Sequence, residues 1–252
     1  MAQADYMVTL NRLLEDFTLQ DLYFTPKKPE VLSDGSIGHK ATSVRDISVG
    51  DWQMRALATE LVAPVTDKLD VILHSSNVGW VPGRIINQPV VRANRRITQA
   101  RSECVRIFCL LLDFLKAFPT VDLPSLWYVM ETIGWEPRIL TLLILLHSDM
   151  RQVIQMGNHS TKGPDRTRGL WTGSGASTVL LLILLDVLIR YVYNSVYFGT
   201  EDPRKGSIDA FADDFTVIVL HLLHMRFFGD CLQSFSSWSG VYASKSLSLI
   251  HI

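Results

Sequence analysis

Apolar residues recur every three or four positions in some stretches of this chain and run nearly unbroken in others, and the two habits mark out its elements. Leu10, Leu13, Leu14 and Phe17 share one helical face, which predicts a helix within residues 1–24. Residues 25–50 are rich in Pro, Gly, Lys and Ser and read as loop with short strand. Leu57, Leu61, Val65, Leu69 and Ile72 predict an amphipathic helix from Trp52 to Leu73. A Gly/Pro loop follows at Asn77–Gly83, then a basic helix from Gln88 to Ser102 that Pro89 opens near its first turn. Val105–Leu112 is apolar apart from Arg106 and stops at Asp113, the pattern of a strand buried on both faces.

Beyond Asp113, helices are predicted at Leu123–Ile133 and Glu136–His147, with Gly134 as the break. Residues 151–168 form a hairpin through Met156-Gly157-Asn158, and a long apolar helix runs from about Ser177 to Tyr193. Ile208–Phe211 and Phe215–Leu220 flank an aspartate pair, as two short strands would flank a tight turn. Ser234–Ser248 reads as a serine-rich loop between a helix and a final strand. No repeat is visible. The expected class is α+β: an antiparallel sheet backed by helices.

Two of these strands deliver acid at their tips, at Leu112-Asp113 and at Ala212-Asp213-Asp214. Neighbouring strand residues point to opposite faces, so Asp213 and Asp214 reach one site only if the turn breaks the alternation. Three gathered carboxylates repel and stay ionised only beside cations. Hard oxygen ligands suit Mg²⁺, and two such ions roughly 3.5–4 Å apart activate a hydroxyl and stabilise a leaving oxygen. The plainer alternative stays open, because aspartates are also common as turn and cap residues.

Composition changes this picture little: 252 residues, 48% apolar, 19% charged, net charge −1. Distribution adds more. Arg84, Arg92, Arg95, Arg96, Arg101 and Arg106 face a single acid, Glu103, and Arg151, Lys162, Arg166 and Arg168 form a second basic stretch. Such clusters suit a phosphate-lined groove, though on charge alone a solvated helix face is the commoner reason for a basic run. Three cysteines without a CxxC pair argue against a disulfide framework or structural zinc and fit a reducing compartment. No basic-then-apolar N-terminal leader is present, which leaves an intracellular location expected and its compartment undetermined. Ile139–Leu146 and Ser177–Ile189 fall short of the roughly 17–25 residues a membrane-spanning helix needs, and the second contains Asp186. Buried helices are expected there, and no membrane partner.

Several segments, in order, resemble the reverse transcriptase domain of non-LTR (LINE-like) retrotransposons. Thr25-Pro26-Lys27-Lys28-Pro29 is similar to the basic start of its fingers, and Val44-Arg45-Asp46-Ile47-Ser48 to its R-P-I-S segment with Asp46 in place of proline. Gly79-Trp80-Val81-Pro82-Gly83-Arg84 is similar to G-F-V-P-G-R, and Leu112-Asp113-Phe114-Leu115-Lys116-Ala117-Phe118 to L-D-F-x-K-A-F. Arg168-Gly169 with Gly173 resembles R-G-V-R-Q-G-D-P, Phe211-Ala212-Asp213-Asp214 the F/Y-A-D-D box, and Ser239-Gly240 with Lys245-Ser246 the segment after it.

The resemblance implies a right-hand polymerase fold with fingers (1–104) and palm (105–252) and no thumb after Lys245. It also implies an RNA template, a DNA primer and deoxynucleoside triphosphates as partners. Asp113 and Asp213 would be the principal ligands of two Mg²⁺ ions, with Asp214 assisting. Lys27, Lys28 and Arg45 would face the triphosphate, Phe114 the sugar, and Lys245 the pyrophosphate. Arg84 would belong to the template-binding region, with Arg92, Arg95 and Arg96 along a nucleic-acid backbone and Gly173 beneath template and primer. The chain departs from the family where Q-G-D-P reads Thr172-Gly173-Ser174-Gly175 and where Pro119 replaces an acid. It has no endonuclease or RNase H segment. These departures suggest a truncated or degenerate copy. The readings that follow are an RNA-directed DNA polymerase, a catalytically inactive remnant that at most binds nucleic acid, and, last, a membrane-associated protein.

Overall fold

The computed structural model describes residues 2–13, 19–26, 30–31, 33–38, 44–148, 151–156, 158–163, 167–199, 202, 204–244 and 248–251. The strands are β1 (Leu19–Pro26), β2 (Glu30–Val31), β3 (Ile37–Gly38), β4 (Val44–Gly50), β5 (Phe108–Asp113), β6 (Arg151–Met156), β7 (His159–Lys162), β8 (Ser207–Phe211), β9 (Asp214–Val219) and β10 (Ser248–His251). The helices are α1 (Ala2–Leu10), α2 (Trp52–Thr66), α3 (Leu69–Ile72), α4 (Asn87–Ser102), α5 (Ala117–Thr120), α6 (Leu123–Thr132), α7 (Pro137–Ser148), α8 (Gly175–Tyr193) and α9 (Leu222–Ser239).

Two four-stranded sheets organise the molecule. One runs β10-β5-β9-β8, antiparallel throughout. The other runs β4-β1-β6-β7, with β1 antiparallel to β4 and parallel to β6. The β6–β7 hairpin therefore leaves the second half of the chain to join strands of the first. A cut at residue 104 does not separate the sheets.

Helix α8 is the centre of the core. Ser174 caps its start, accepting from the Ala176 N–H at 3.3 Å. Leu180, Leu184, Leu185 and Ile189 are fully buried, and α2, α5, α6 and α9 pack around it. At 19 residues the helix is longer than its apolar run suggested, and by length and composition it could cross a membrane. Most of that span is buried by the fold instead, which makes it a core helix. Its one buried charge is provided for. Asp186, 4% exposed, accepts from the His74 N–H at 2.9 Å and from Arg190 at 2.6 Å.

Three expectations need correction. The first helix ends at Leu10, and residues 19–24 lie in β1, where pairing with β4 and β6 outweighs the helical spacing. The helix expected over 52–73 breaks at Asp67 and Lys68 into α2 and α3, after Pro64 has removed an internal N–H. Ser234–Ser239 belong to α9 rather than to a loop, because Phe235 and Trp238 turn that end into the core.

Removing one partner of a buried ion pair costs more than removing both. Arg190 is half-exposed and Asp186 keeps the His74 N–H, so Arg190→Ala leaves one carboxylate oxygen without its partner and should lower unfolding free energy in urea by about 1–2 kcal/mol. Asp186→Leu/Arg190→Ala should recover part of that loss. A double variant less stable than Arg190→Ala would contradict this account.

A candidate active site where the two sheets meet

Strands β5 and β9 end together, with Asp113 directly opposite Asp214. Opposed residues of an antiparallel pair share a face, so both carboxylates stand on one side of the sheet. That side is open: Leu111, Asp113 and Asp214 are exposed, while Leu110, Leu112, Phe215 and Val217 fill the core behind them. The remaining acid comes from the turn. Phe211 pairs with Asp214, leaving Ala212 and Asp213 as a two-residue connection. Ala212 takes a left-handed φ of 55°, the sign that tight hairpins need at their first central residue. The turn breaks the alternation, as the sequence required.

A neighbouring segment braces this strained residue. The Ala210 N–H donates to Ser76 O at 2.8 Å and the Val78 N–H donates to Ala210 O at 2.9 Å. Gly79 then lies so close that a Cβ there would sit 2.2 Å from the Ala212 nitrogen. Only glycine permits the approach.

A cleft of about 400 Å³ opens between the sheets. Asp113 and Asp213 line its palm side; Arg45 and Asp46 of β4 line the other, with Lys116, Phe118 and Thr172 between. Lys116 also adopts a left-handed conformation, φ 48° and ψ 52°, a strain of the kind that persists where the surroundings impose it. Burial lifts the Asp213 carboxyl above the usual aspartate value of 3.8, and repulsion from Asp214 and Asp113 adds to it. Asp214 is also raised, by burial first and then by Asp113. The three acids thus feel one another.

Other predicted residues fall elsewhere. Phe114 is 3% exposed and meets Phe215 edge-on at 5.1 Å, so it packs into the core while also bordering the cleft. Phe118 is the aromatic residue that reaches the cleft while remaining partly exposed. Arg84 donates to four backbone carbonyls, those of Asp70, Leu73, His74 and Asn77. Arg92 binds Asp209 at 2.7 Å, and Arg96 donates to the carbonyls of Gly199, Asp202 and Lys205. These three arginines are engaged within the fold. Arg95 is exposed. Gly173 packs on β4, where a Cβ would lie 2.2 Å from Ser48 O, rather than forming an open support. Lys27, Lys28 and Lys245 lie outside the described residues.

Sequence reasoning passed over Lys116, Phe118, Asp46 and Thr172. The first two stand inside the quoted motif, and a turn after Asp113 is enough to bring them back beside it. Asp46 and Thr172 stood only as departures from quoted segments, because their place at the cleft depends on contact between β4 and a segment far along the chain. Thr172 Oγ1 donates to Asp46 O at 3.1 Å and accepts from the Ser48 N–H at 3.0 Å.

Two sheets that bring a carboxylate-bearing hairpin against strand β4 across a cleft have the arrangement of a polymerase of the fingers-and-palm class. The family model described as reverse transcriptase (RNA-dependent DNA polymerase) matches residues 26–246, and the chain belongs to that family. No curated protein sequence matches it. Among solved structures, apo telomerase from Candida tropicalis truncated from its C-terminal domain superposes with a TM-score of 0.65 at 11% identity, covering 99% of this chain and 54% of that one. Telomerase from Candida tropicalis in complex with a TWJ fragment of telomeric RNA gives 0.62 at 11%, covering 95% and 42%. The Candida albicans counterpart gives 0.61 at 12%, covering 98% and 45%. At these identities the likeness is one of fold. The chain spans about half the length of the telomerase chains it matches.

A carboxyl whose folded pKa is raised keeps its proton to higher pH than in the unfolded chain, so stability falls as pH rises through that window. In metal-free buffer near neutral pH, Asp213→Asn should therefore melt at a higher temperature than the parent. The gap should close below the ordinary value of 3.8. Calorimetry checks it; a gap that opens only in acid contradicts it.

Proposed function

We propose that this chain is the fingers and palm of an RNA-directed DNA polymerase of the non-LTR retrotransposon kind, with Asp113, Asp213 and Asp214 as its catalytic carboxylates. The observation that carries this reading is the pairing of Asp113 with Asp214 beside the Asp213 turn, across a cleft from Arg45. The segments Gly79–Arg84 and Leu112–Phe118 support the non-LTR assignment. The β4-β1-β6-β7 sheet belongs to the fingers and the β10-β5-β9-β8 sheet to the palm. Residues 1–104 then supply most of the fingers, and 105–252 the palm together with the β6–β7 hairpin.

The donor set suits Mg²⁺. It is made of hard carboxylate oxygens, and burial with mutual repulsion leaves them in need of positive charge. Among the described residues no three His, Cys, Asp or Glu side chains stand close enough together to hold a metal ion, the three aspartates included. An open set still fits, because Mg²⁺ takes one or two carboxylates and fills its shell with water and phosphate. Asp113, Asp213 and Asp214 would hold two ions, which when bound would acidify a primer 3′-hydroxyl and stabilise the departing pyrophosphate oxygen.

The chain's own residues do the rest by placement. Arg45 and Lys116 present cations to the triphosphate of an incoming nucleotide, and Phe118 offers a ring edge to its sugar. Phosphoryl transfer depends on such positioned charge more than on reactive side chains. Lys27, Lys28 and Lys245 join them on the family's pattern. Arg95, exposed on α4, is placed to meet a phosphate backbone. RNA template and DNA primer are the proposed partners; two structural neighbours were solved with a fragment of telomeric RNA.

A second reading has an observation of its own. The Thr172-Gly173 segment, which replaces Q-G of the family, spends its hydroxyl on Asp46 and Ser48 and its glycine on the Ser48 carbonyl. That favours a remnant that binds nucleic acid without extending it.

Primer extension on a homopolymer RNA template with Mg²⁺ separates the two. The polymerase reading expects incorporation, and expects Asp213→Asn to cut it by about two orders of magnitude or more, the scale on which one electrostatic stabiliser acts. Salt-sensitive template binding with no incorporation would establish the remnant instead.

A further inference from the structure

We infer that Arg84 is a positioning residue: it locks the loop of residues 70–79 into the shape that holds the acidic turn, and it does not contact the template. The inference rests on the polymerase reading for its kinetic consequence, though not for its structural one.

The loop leaving α3 is packed with backbone carbonyls that no helix or sheet satisfies. Two guanidinium groups collect them. Arg84 Nη1 donates to His74 O at 2.7 Å and Asn77 O at 2.5 Å, and Nη2 to Asp70 O at 2.5 Å and Leu73 O at 2.9 Å. Arg190 donates to Ile72 O at 2.5 Å. From the core side, Asp186 accepts the His74 N–H at 2.9 Å, and the His74 ring stacks on Tyr193 at 4.4 Å. The Tyr193 hydroxyl in turn donates to Ile208 O at 2.8 Å in β8. The loop is thus fastened at both ends of its bend.

What this fixed loop touches is the turn. Residues 76–78 run alongside β8 through the two hydrogen bonds with Ala210, Asn77 forms a parallel bridge with Ala210, and Gly79 abuts the Ala212 nitrogen. Ala212 carries the positive φ on which the direction of Asp213 depends. A rigid planar fork with several donors suits this task, because one arginine can bind carbonyls in several directions at once. A lysine cannot.

A displacement of about 1 Å at a reacting centre costs about a hundredfold in rate. Arg84→Gln should therefore lower kcat by about tenfold to a hundredfold. The KM for deoxynucleotide, the Kd for template–primer and the salt slope of binding should stay unchanged. Arg84→Lys should not rescue kcat, since the charge alone is not what the loop needs. If Arg84 contacted template phosphate, Arg84→Gln would weaken binding and flatten its salt dependence while keeping kcat, and Arg84→Lys would restore both. That result overturns the inference.

Amide hydrogen exchange decides the structural part without any activity. In Arg84→Gln, the amides of Val78 and Ala210 and the 211–214 segment should exchange at least about tenfold faster than in the parent, with the β1–β4 amides unchanged as a control. Unaltered exchange at Val78 and Ala210 overturns the inference. If the parent incorporates nothing, the polymerase reading fails alone and the exchange comparison still stands. Should Arg84→Gln not fold, Arg84→Lys, which keeps part of the fork's reach, is read by the same exchange.

Discussion

Two carboxylates facing each other across the last rung of an antiparallel ladder are an unfavourable arrangement, and much of the molecule is organised around tolerating it. The register of β5 and β9 forces Asp113 and Asp214 together, and the adjoining turn adds Asp213. Burial, and after it repulsion from the neighbouring acids, disfavours the ionised forms of Asp213 and Asp214. The backbone cannot relax away from this. Phe215, Val217 and Val219 are fully packed on the inner face of the sheet, and moving the register by one residue would bring the acids into the core. The hydrophobic pattern therefore holds the charges where electrostatics alone would part them.

The opposing wall answers with few cations. A net charge of −1 and the commitment of Arg84, Arg92 and Arg96 to internal partners leave the cleft with Arg45 and Lys116 among the described residues. Asp46, where the family has proline, adds an acid to that wall. On the proposed reading, affinity for a nucleotide here depends more on bound metal than on the protein's own charge.

Much of this was legible before any coordinates. The strand ending at Asp113, the hairpin around Asp213, the hairpin through residues 156–158 and the long apolar helix all follow from period and punctuation, which are local properties. What stayed hidden depends on long-range pairing. The strand at Leu19–Pro26 has partners in β4 and in β6, and nothing in its own spacing reveals them. Charge misled for a related reason. A sequence shows that an arginine is present and says nothing of which carbonyls lie within its reach, so α4 reads as a basic stripe although Asp209 and the loop near Lys205 take two of its guanidinium groups. Phe114 and Phe118 show the same limit on a smaller scale. Four positions apart in one motif, both border the cleft, yet Phe114 is packed into the core and Phe118 stays partly exposed, with the left-handed Lys116 between them.

The aspartate in the apolar helix ties these strands of argument together. In sequence, Asp186 is an anomaly, a lone acid within a long apolar run. In the fold it is the point where the core grips the loop of residues 70–79, through the His74 N–H and, beside it, Arg190. A buried charge is costly, and it persists only where its partners are fixed and numerous. Here the partners belong to the segment that lies along β8 and meets Ala212. The most apolar element of the protein thus reaches the most acidic one through a single buried carboxylate and a length of backbone, which accounts for a charge at a position where leucine would pack without cost.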